Sequence, residues 1–265
     1  MQNIEFGILL PALLAGLLVT ATHVPLGSQV LRRGIVFIDI AIAQIAGVGV
    51  IAADFFGFEA GGYVVQISAL SAALAGALFM TWTERRWPDI QEGIIGTVFV
   101  LAATLQVLLL AGNVHAGEYL KDLLVGQILW VNYPQLAAVA LLTALVLAAW
   151  FGASAQRLGR MGFYLLFGLS VTASVQVVGV YLVFSTLIIP ALATRRAVRF
   201  RTAKAYAVGA IGYLTGLLAS IVTDLPTGAL IVWTMAATGI VFAAAERGAV
   251  TVNDPDDAMS STASH

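Results

Sequence analysis

Long apolar stretches alternate with short polar ones along nearly the whole chain, and this pattern predicts membrane-crossing helices. A crossing helix needs about 20 mostly apolar residues. The stretch 161–194 is too long for one straight crossing, because about 34 helical residues extend for about 51 Å, so we divide it near Gly179. The predicted spans are residues 6–22, 34–53, 63–82, 94–111, 135–152, 161–178, 180–194, 205–222 and 228–245.

The positions of the basic residues favour nine crossings over eight. Loops rich in Lys and Arg lie on the cytoplasmic side of a membrane. With nine crossings, all of the 13 basic residues except Lys121 lie on one side, whereas a single crossing over 161–194 would move the basic cluster 195–204 to the other side. We therefore predict an all-α polytopic membrane protein with about nine transmembrane helices, eight being the alternative. Its N-terminus is predicted outside and its C-terminus in the cytoplasm.

Composition agrees with this interpretation, because 60% of the 265 residues are hydrophobic and only 10% are charged. A soluble domain carries about 25% charged residues, so a soluble enzyme and a disordered protein are both excluded. The absence of cysteine excludes disulfides and cysteine-based metal sites. We predict one transmembrane domain over residues 1–247. The polar, acidic tail 248–265 is expected to be disordered in the cytoplasm.

One outside segment is not a simple loop. Residues 112–134 contain the apolar stretch LLVGQILWV, which is too short to cross a membrane. Irregular backbone is tolerated at membrane depth only against protein or a water-filled cavity. We therefore predict a re-entrant or surface-lying helix in this segment.

Asp39 is the only acidic residue that lies well inside a predicted span. A carboxylate there is costly unless it is paired, protonated or facing water. It therefore either lines a cation path or pairs with Arg32, Arg33 or backbone groups near the interface. Gln44, in the same span, either contributes to the path or forms a hydrogen bond between helices.

The outside segment offers a second candidate site. His115 and Glu118 are spaced to share one face of a short helix, as are Glu118 and Asp122. An imidazole beside carboxylates can receive a divalent transition-metal ion; alternatively, these side chains form a solvated outer face. His23, at the end of the first predicted span, is expected at the membrane interface, and His265 is expected to have no role.

No ATP-binding loop of the GxxxxGK[ST] type is present in the chain, and neither HExxH nor GxSxG occurs. We therefore predict that this chain is not an enzyme and binds no cofactor.

Four stretches, in this order, resemble the membrane permease of zinc, manganese and iron ABC importers. They are PLGSQVLRRGIVFIDIAIAQIAGVGV (25–50), EGIIGTVFVLAAT (92–104), VVGVYLVFSTLIIPALATRR (177–196) and TDLPTGAL (223–230), and LIIPALATRR is the most specific part. The resemblance covers most of residues 6–245. It implies an all-helical permease that works as a homodimer on cytoplasmic ATPase subunits, which use the ATP. An extracytoplasmic metal-binding protein would deliver the cation.

The chain departs from the family pattern at several positions. Such permeases usually have a histidine four residues after the aspartate of the second span, where this chain has Ala43, and often another in the fourth span, where it has Val100. The Gly-Asp pair of the re-entrant segment is Gly126 and Gln127 here. Glutamine is a poor zinc ligand, although its carbonyl oxygen can bind harder cations. The identity of the transported ion therefore stays open.

The resemblance also implies a cytoplasmic segment between the fifth and sixth spans that docks on the ATPase. Here this segment is only residues 151–160, which fits at most a short coupling helix, and it contains Arg157 and Arg160 as the predicted coupling residues. The inner segments 83–93 and 195–204 are further candidates for this contact.

Together these features predict a permease subunit of an ABC importer for a divalent metal ion, zinc first and manganese or iron next, in the inner membrane of a bacterium. The cation is expected to pass Asp39 and Gln44, with His115 and Glu118 at the outer mouth, and no nucleic acid is expected as a partner. Two alternatives remain. One is an ion-coupled secondary transporter in which Asp39 couples protons or cations, and the other is an assembly subunit without a transport path.

Overall fold

The computed structural model describes residues 2–58, 62–110, 124–152, 155–197 and 199–252, except the side chains of residues 2–6, 155–158 and 247–252. Regular structure in these ranges is entirely helical. Eight helices are long and apolar enough to cross a membrane, and one, α7, is shorter, with 14 residues. This confirms the predicted all-α polytopic fold. The helices are α1 (Gln2–Arg33), α2 (Ile38–Phe55), α3 (Tyr63–Arg86), α4 (Gln91–Leu109), α5 (Tyr133–Gly152), α6 (Ala155–Val178), α7 (Val180–Ala193), α8 (Arg201–Thr223) and α9 (Thr227–Val252), with short 3-10 turns at Pro88–Ile90 and Ile128–Trp130.

Ion pairs hold several helix termini together at what we call the basic end of the bundle. Glu84, near the end of α3, lies 3.7 Å from Arg33 at the end of α1 and 4.0 Å from Arg160 at the start of the transmembrane part of α6. Lys204, at the start of α8, pairs with Glu246 near the end of α9. The termini that the charge pattern predicts on the cytoplasmic side therefore meet in the structure.

The chain reverses direction at Gly179, between α6 and α7. This residue has φ 82° and ψ 164°, a conformation that is open mainly to glycine. Leu182 lies beside Gly228 at the start of α9, and Ile189 lies beside Gly239 farther along the same helix. Helix α7 therefore runs parallel to α9 and towards the basic end, whereas α6 begins at that end. The division of the stretch 161–194 at Gly179 is thus confirmed.

Helix α1 is longer than its predicted span, because it continues through Pro25 to Arg33. A proline inside a helix removes the N–H group that would bond to the carbonyl four residues earlier, which is that of Ala21. The hydroxyl of Tyr206, on α8, donates a hydrogen bond to this carbonyl at 3.0 Å. A distant side chain thus replaces the missing backbone donor, and the helix continues past the proline.

Tyr206→Phe is expected to lower the free energy of unfolding by about 1 kcal/mol, the usual value of one such hydrogen bond. The carbonyl of Ala21 would then have no donor. In a Pro25→Ala background the loss should be smaller, because the restored backbone N–H can bond to Ala21. Unfolding in detergent, followed for the four proteins of this cycle, measures the difference. An equal loss of stability in both backgrounds would show that the Tyr206 hydroxyl does not replace the backbone donor that Pro25 lacks.

Segment 124–132 packs irregular backbone against the opposite end of the bundle. Gly126 has φ 72°, and a Cβ atom at this position would overlap the carbonyl oxygen of Val178. Ile128 is buried, whereas Trp130 is 78% exposed. The described part of the predicted re-entrant segment therefore lies against protein, as backbone at membrane depth requires. Residues 112–123 lie outside the described ranges, so the predicted helix remains a prediction there.

Two features near the termini of helices bear on the predicted domain limits. Gly159, with φ 57° and ψ −165°, interrupts α6 and separates residues 155–158 as a turn before the transmembrane part. Helix α9 continues to Val252, so it extends five residues into the segment 248–265 that the sequence predicts as a tail. The disorder expected for the rest of the tail stays a prediction. Residues 249–252 are still largely apolar, and the first strong helix breaker is Pro255. Residues 253–265 lie outside the described part of the chain.

Candidate functional site

Asp39 is buried in the first turn of α2 without a side-chain partner. The residue is 1% exposed, and neither carboxylate oxygen has a side-chain partner or a hydrogen bond of good geometry, although the backbone N–H groups of Asp39 and Ile40 interact with it. The neighbouring Phe37 stacks on Phe184 of α7, with ring centroids 6.4 Å apart. A buried carboxylate without a partner is strongly destabilising unless it takes up a cation or a proton. Asp39 is therefore the group in the described bundle interior best suited to attract a positive charge.

The alternative pairing of Asp39 with the double arginine before α2 is not observed. Arg33 pairs with Glu84, and its guanidinium carbon lies 4.2 Å from the ring centroid of Phe163. Arg32 is exposed. Both arginines thus belong to the surface and ion pairs of the basic end, and the Asp39 carboxylate has no ion pair among the described residues. Of the predicted partners, only the backbone N–H groups of Asp39 and Ile40 interact with it.

Gln44 faces a different helix from Asp39. Residues five positions apart are rotated by about 140° around an α-helix, so the two side chains point to different sides of α2. The amide nitrogen of Gln106, on α4, donates to the backbone oxygen of Gln44 at 2.9 Å and to its side-chain oxygen at 2.6 Å. Gln44 therefore joins α2 to α4 here, and the structure does not bring it together with Asp39.

Gln106→Leu is expected to lower the free energy of unfolding by about 1–2 kcal/mol, because both buried acceptors of Gln44 lose their donor. The double variant Gln44→Leu/Gln106→Leu should lose less, since it removes one of those acceptors together with the donor. Thermal unfolding in detergent measures both proteins. A double variant less stable than Gln106→Leu would show that the bond is not the main role of the pair.

His23 is fully buried, and the apolar helix α1 continues past it to Arg33, so it lies inside the span and not at the membrane interface where it was predicted. Its Nδ1 atom lies 2.9 Å from the carbonyl oxygen of Val19 and 3.0 Å from the hydroxyl of Thr22, and its Nε2 atom has no partner. The carbonyl can only accept, so Nδ1 carries the proton and Nε2 presents a lone pair in the neutral ring. Metal-binding histidines are commonly held in this way through their other nitrogen.

The burial of His23 could have been inferred from its spacing in α1. Val19, His23, Leu26 and Val30 recur at intervals of three and four residues, and all are buried. Gly27, one turn after His23, lies against the backbone of Leu187 in α7. Helix α7 therefore contacts both α1 near His23 and α2 near Asp39.

A cavity of about 570 Å³ opens at the end of the bundle opposite the basic end. Its walls include residues 125–130, the C-terminal end of α8 and the start of α9. Asp224 lies in this wall in a left-handed conformation, with φ 54°. Ser220, also in the wall, forms a hydrogen bond of 2.6 Å with the hydroxyl of Thr227. The irregular segment 125–130 thus forms part of a space large enough for a hydrated ion.

Three of the predicted site residues are described only in part or not at all. His115 and Glu118 lie outside the described residues. Arg157 lies in the turn before Gly159, and its side chain is not described. Arg160 has a side chain that is 52% exposed and pairs with Glu84, so it is accessible at the basic end.

Comparisons with known proteins identify the family of the chain. The sequence model of the ABC 3 transport family matches residues 5–156 and 148–246. Among solved structures, the chain is similar to PsaBC from Streptococcus pneumoniae in complex with Fab, with a TM-score of 0.69 and 20% identity over 91% of this chain and 95% of that chain. It is also similar to a metal-chelate type ABC transporter in an inward-facing conformation, with a TM-score of 0.65 and 21% identity over 88% of this chain and 84% of that one.

At these identities, the structural likeness shows a shared fold. No curated protein sequence matches the chain. The two regions matched by the family model extend into all nine described helices and include the Asp39 and His23 positions. The chain therefore belongs to the ABC 3 transport family and is a multi-pass membrane subunit of that family.

Proposed function

We propose that the chain is the permease subunit of an ABC importer for a divalent transition-metal ion in the plasma membrane of a bacterium. The observation that carries this proposal is the buried, unpaired carboxylate of Asp39. Membership of the ABC 3 transport family supports the transport role. The likeness to a transporter described as metal-chelate type supports a metal as cargo.

The proposed path places two unpaired groups near α7. The carboxylate of Asp39 supplies negative charge, and the free Nε2 lone pair of His23 supplies a nitrogen ligand. Imidazole suits zinc, copper, iron and nickel, whereas carboxylate also suits manganese. This combination favours zinc, followed by iron or manganese. His115 and Glu118 remain the proposed outer mouth, and Gln44 is proposed as a path residue only if its bond to Gln106 opens.

The proposed mechanism is alternating access powered by a separate ATPase, with two copies of the chain in the complex. Arg157 and Arg160 at the basic end would contact the ATPase. Glu84 joins Arg160 to Arg33, so movement of the turn before α6 would reach α1 and α3. A metal-binding protein would dock at the opposite end, beside the cavity of about 570 Å³.

Growth of a deletion strain under metal chelation tests the proposal. Restoring the gene should rescue growth, and adding zinc, manganese or iron one at a time should identify the ion. Uptake into vesicles that contain the complex should require ATP hydrolysis by the partner ATPase. Uptake driven by an ion gradient without the ATPase would instead establish a secondary transporter, and a purified complex that neither binds nor moves metal would establish an assembly subunit.

A further inference from the structure

A second cavity, of about 430 Å³, forms a groove between α7 and α9 at the basic end. The two helices approach closely at Gly239, where a Cβ atom would lie 2.9 Å from a methyl carbon of Ile189. Beside this contact the groove is walled by apolar side chains and opens to the outer surface of the bundle. Leu192 is 45% exposed and Ile240 is 70% exposed.

Two arginines without ion pairs stand at the rim of this groove. Arg195 and Arg196 follow α7 after a single intervening residue, Thr194, and both are exposed. Neither forms a salt bridge among the described residues, and no acidic residue lines the groove. The nearby Glu246 of α9 is already paired with Lys204. The groove therefore combines an apolar channel with two uncompensated positive charges at one end.

We propose that this groove binds an anionic phospholipid, with its phosphate on Arg195 and Arg196 and one acyl chain along the groove. Guanidinium groups stay charged and bind phosphate oxygens in pairs. Basic pockets between transmembrane helices on the cytoplasmic side are suited to anionic lipid headgroups. The two arginines lie at the end of the bundle that the charge pattern predicts to be cytoplasmic. The lipid headgroup would therefore lie at the membrane surface beside the arginines, and the acyl chain would lie in the apolar part of the groove within the membrane.

A second copy of the chain fits this groove less well. Identical subunits usually associate about a two-fold axis, with the same surface contributed by both. Such an interface would place both pairs of arginines in one contact surface at the same membrane depth, and no acidic residue in the groove would balance them. An anionic lipid matches both the charge and the apolar wall.

The test compares lipid binding by the purified full-length chain in detergent, measured by native mass spectrometry with phosphatidylglycerol and phosphatidylcholine. The wild type should retain phosphatidylglycerol more strongly by roughly ten- to thirtyfold, since each arginine near a membrane surface adds about a factor of five. Arg195→Gln/Arg196→Gln should abolish this preference. The matched control, Arg85→Gln/Arg86→Gln, alters another exposed double arginine at the basic end and should retain it.

Filling the groove gives a second test that leaves the arginines in place. Ala243→Phe should reduce binding of phosphatidylglycerol at least fivefold without changing the oligomeric state. Equal retention of the two lipids by the wild type, or equal loss in both double-arginine variants, would overturn the proposal. Dissociation of a dimer by Ala243→Phe would also overturn it, because the groove would then be covered by a second copy. None of these measurements depends on transport.

Discussion

Asp39→Ala is expected to reduce metal uptake by at least a hundredfold while the protein still accumulates in the membrane. The carboxylate has no ion pair and no side-chain hydrogen bond among the described residues, so its removal leaves no side-chain partner unsatisfied. Removing an unpaired buried charge should therefore leave the free energy of unfolding unchanged or increase it. Lost transport together with retained or improved stability is the expected signature of a group kept for function.

Asp54→Ala is the matched control, because Asp54 lies at the other end of α2 and is only partly buried. Its uptake should stay within about twofold of the wild type, because Asp54 is not part of the proposed path. The amount of folded protein should also be similar, since substitutions away from the core usually change stability by no more than about 0.5 kcal/mol. Uptake of labelled metal, normalised to the amount of each protein, measures both variants. Uptake at the wild-type level in a well-expressed Asp39→Ala protein would remove Asp39 from the mechanism.

Gly126→Ala is expected to reduce strongly the amount of folded protein that accumulates. Gly126 and Gly179 cross backbone to backbone, and a Cβ atom on either would overlap backbone atoms of the other segment. Neither backbone can move aside easily, because Gly179 is the point at which α6 reverses into α7. Overpacking costs about 1–3 kcal/mol, and a left-handed conformation adds about 1–2 kcal/mol for any residue with a Cβ atom. The sum is about 2–5 kcal/mol, compared with about 5–15 kcal/mol for the total stability of a typical domain.

Gly34→Ala separates the two contributions. Gly34 also has a positive φ, of 70°, but no described residue other than its chain neighbours has an atom within 4 Å of the position that its Cβ would take. This variant should lose only the about 1–2 kcal/mol of stability that the left-handed conformation costs, and it should remain folded. Size-exclusion chromatography of detergent extracts, with the fraction of monodisperse protein as readout, distinguishes the two. If the Gly126→Ala protein were as well folded as the Gly34→Ala protein, the crossing of the two segments would not constrain the fold.

The helix limits were largely predictable, because each helix that crosses a membrane needs about 20 consecutive, mostly apolar residues of its own. The reversal at Gly179 was predictable from two observations. The apolar stretch 161–194 is too long for one crossing, and the basic cluster 195–204 has to lie on the same side of the membrane as the other basic residues. The end of α1 was not predictable, since the donor that carries the helix past Pro25 is Tyr206, which lies far along the chain. The end of α9 at Val252 was not predictable either, because the polar composition of the segment 248–265 does not determine where the helix ends.

The sequence alone determined that the chain crosses a membrane repeatedly, that its basic termini share one side, and that Asp39 lies inside a span. These conclusions depend on composition and spacing within single segments. Only the tertiary structure decided that Arg33 pairs with Glu84, that Gln44 bonds to Gln106, and that one ring nitrogen of His23 has no partner. Whether a buried polar group is satisfied depends on helices that are distant in the chain, and their packing places one partner beside Gln44 and none beside Asp39.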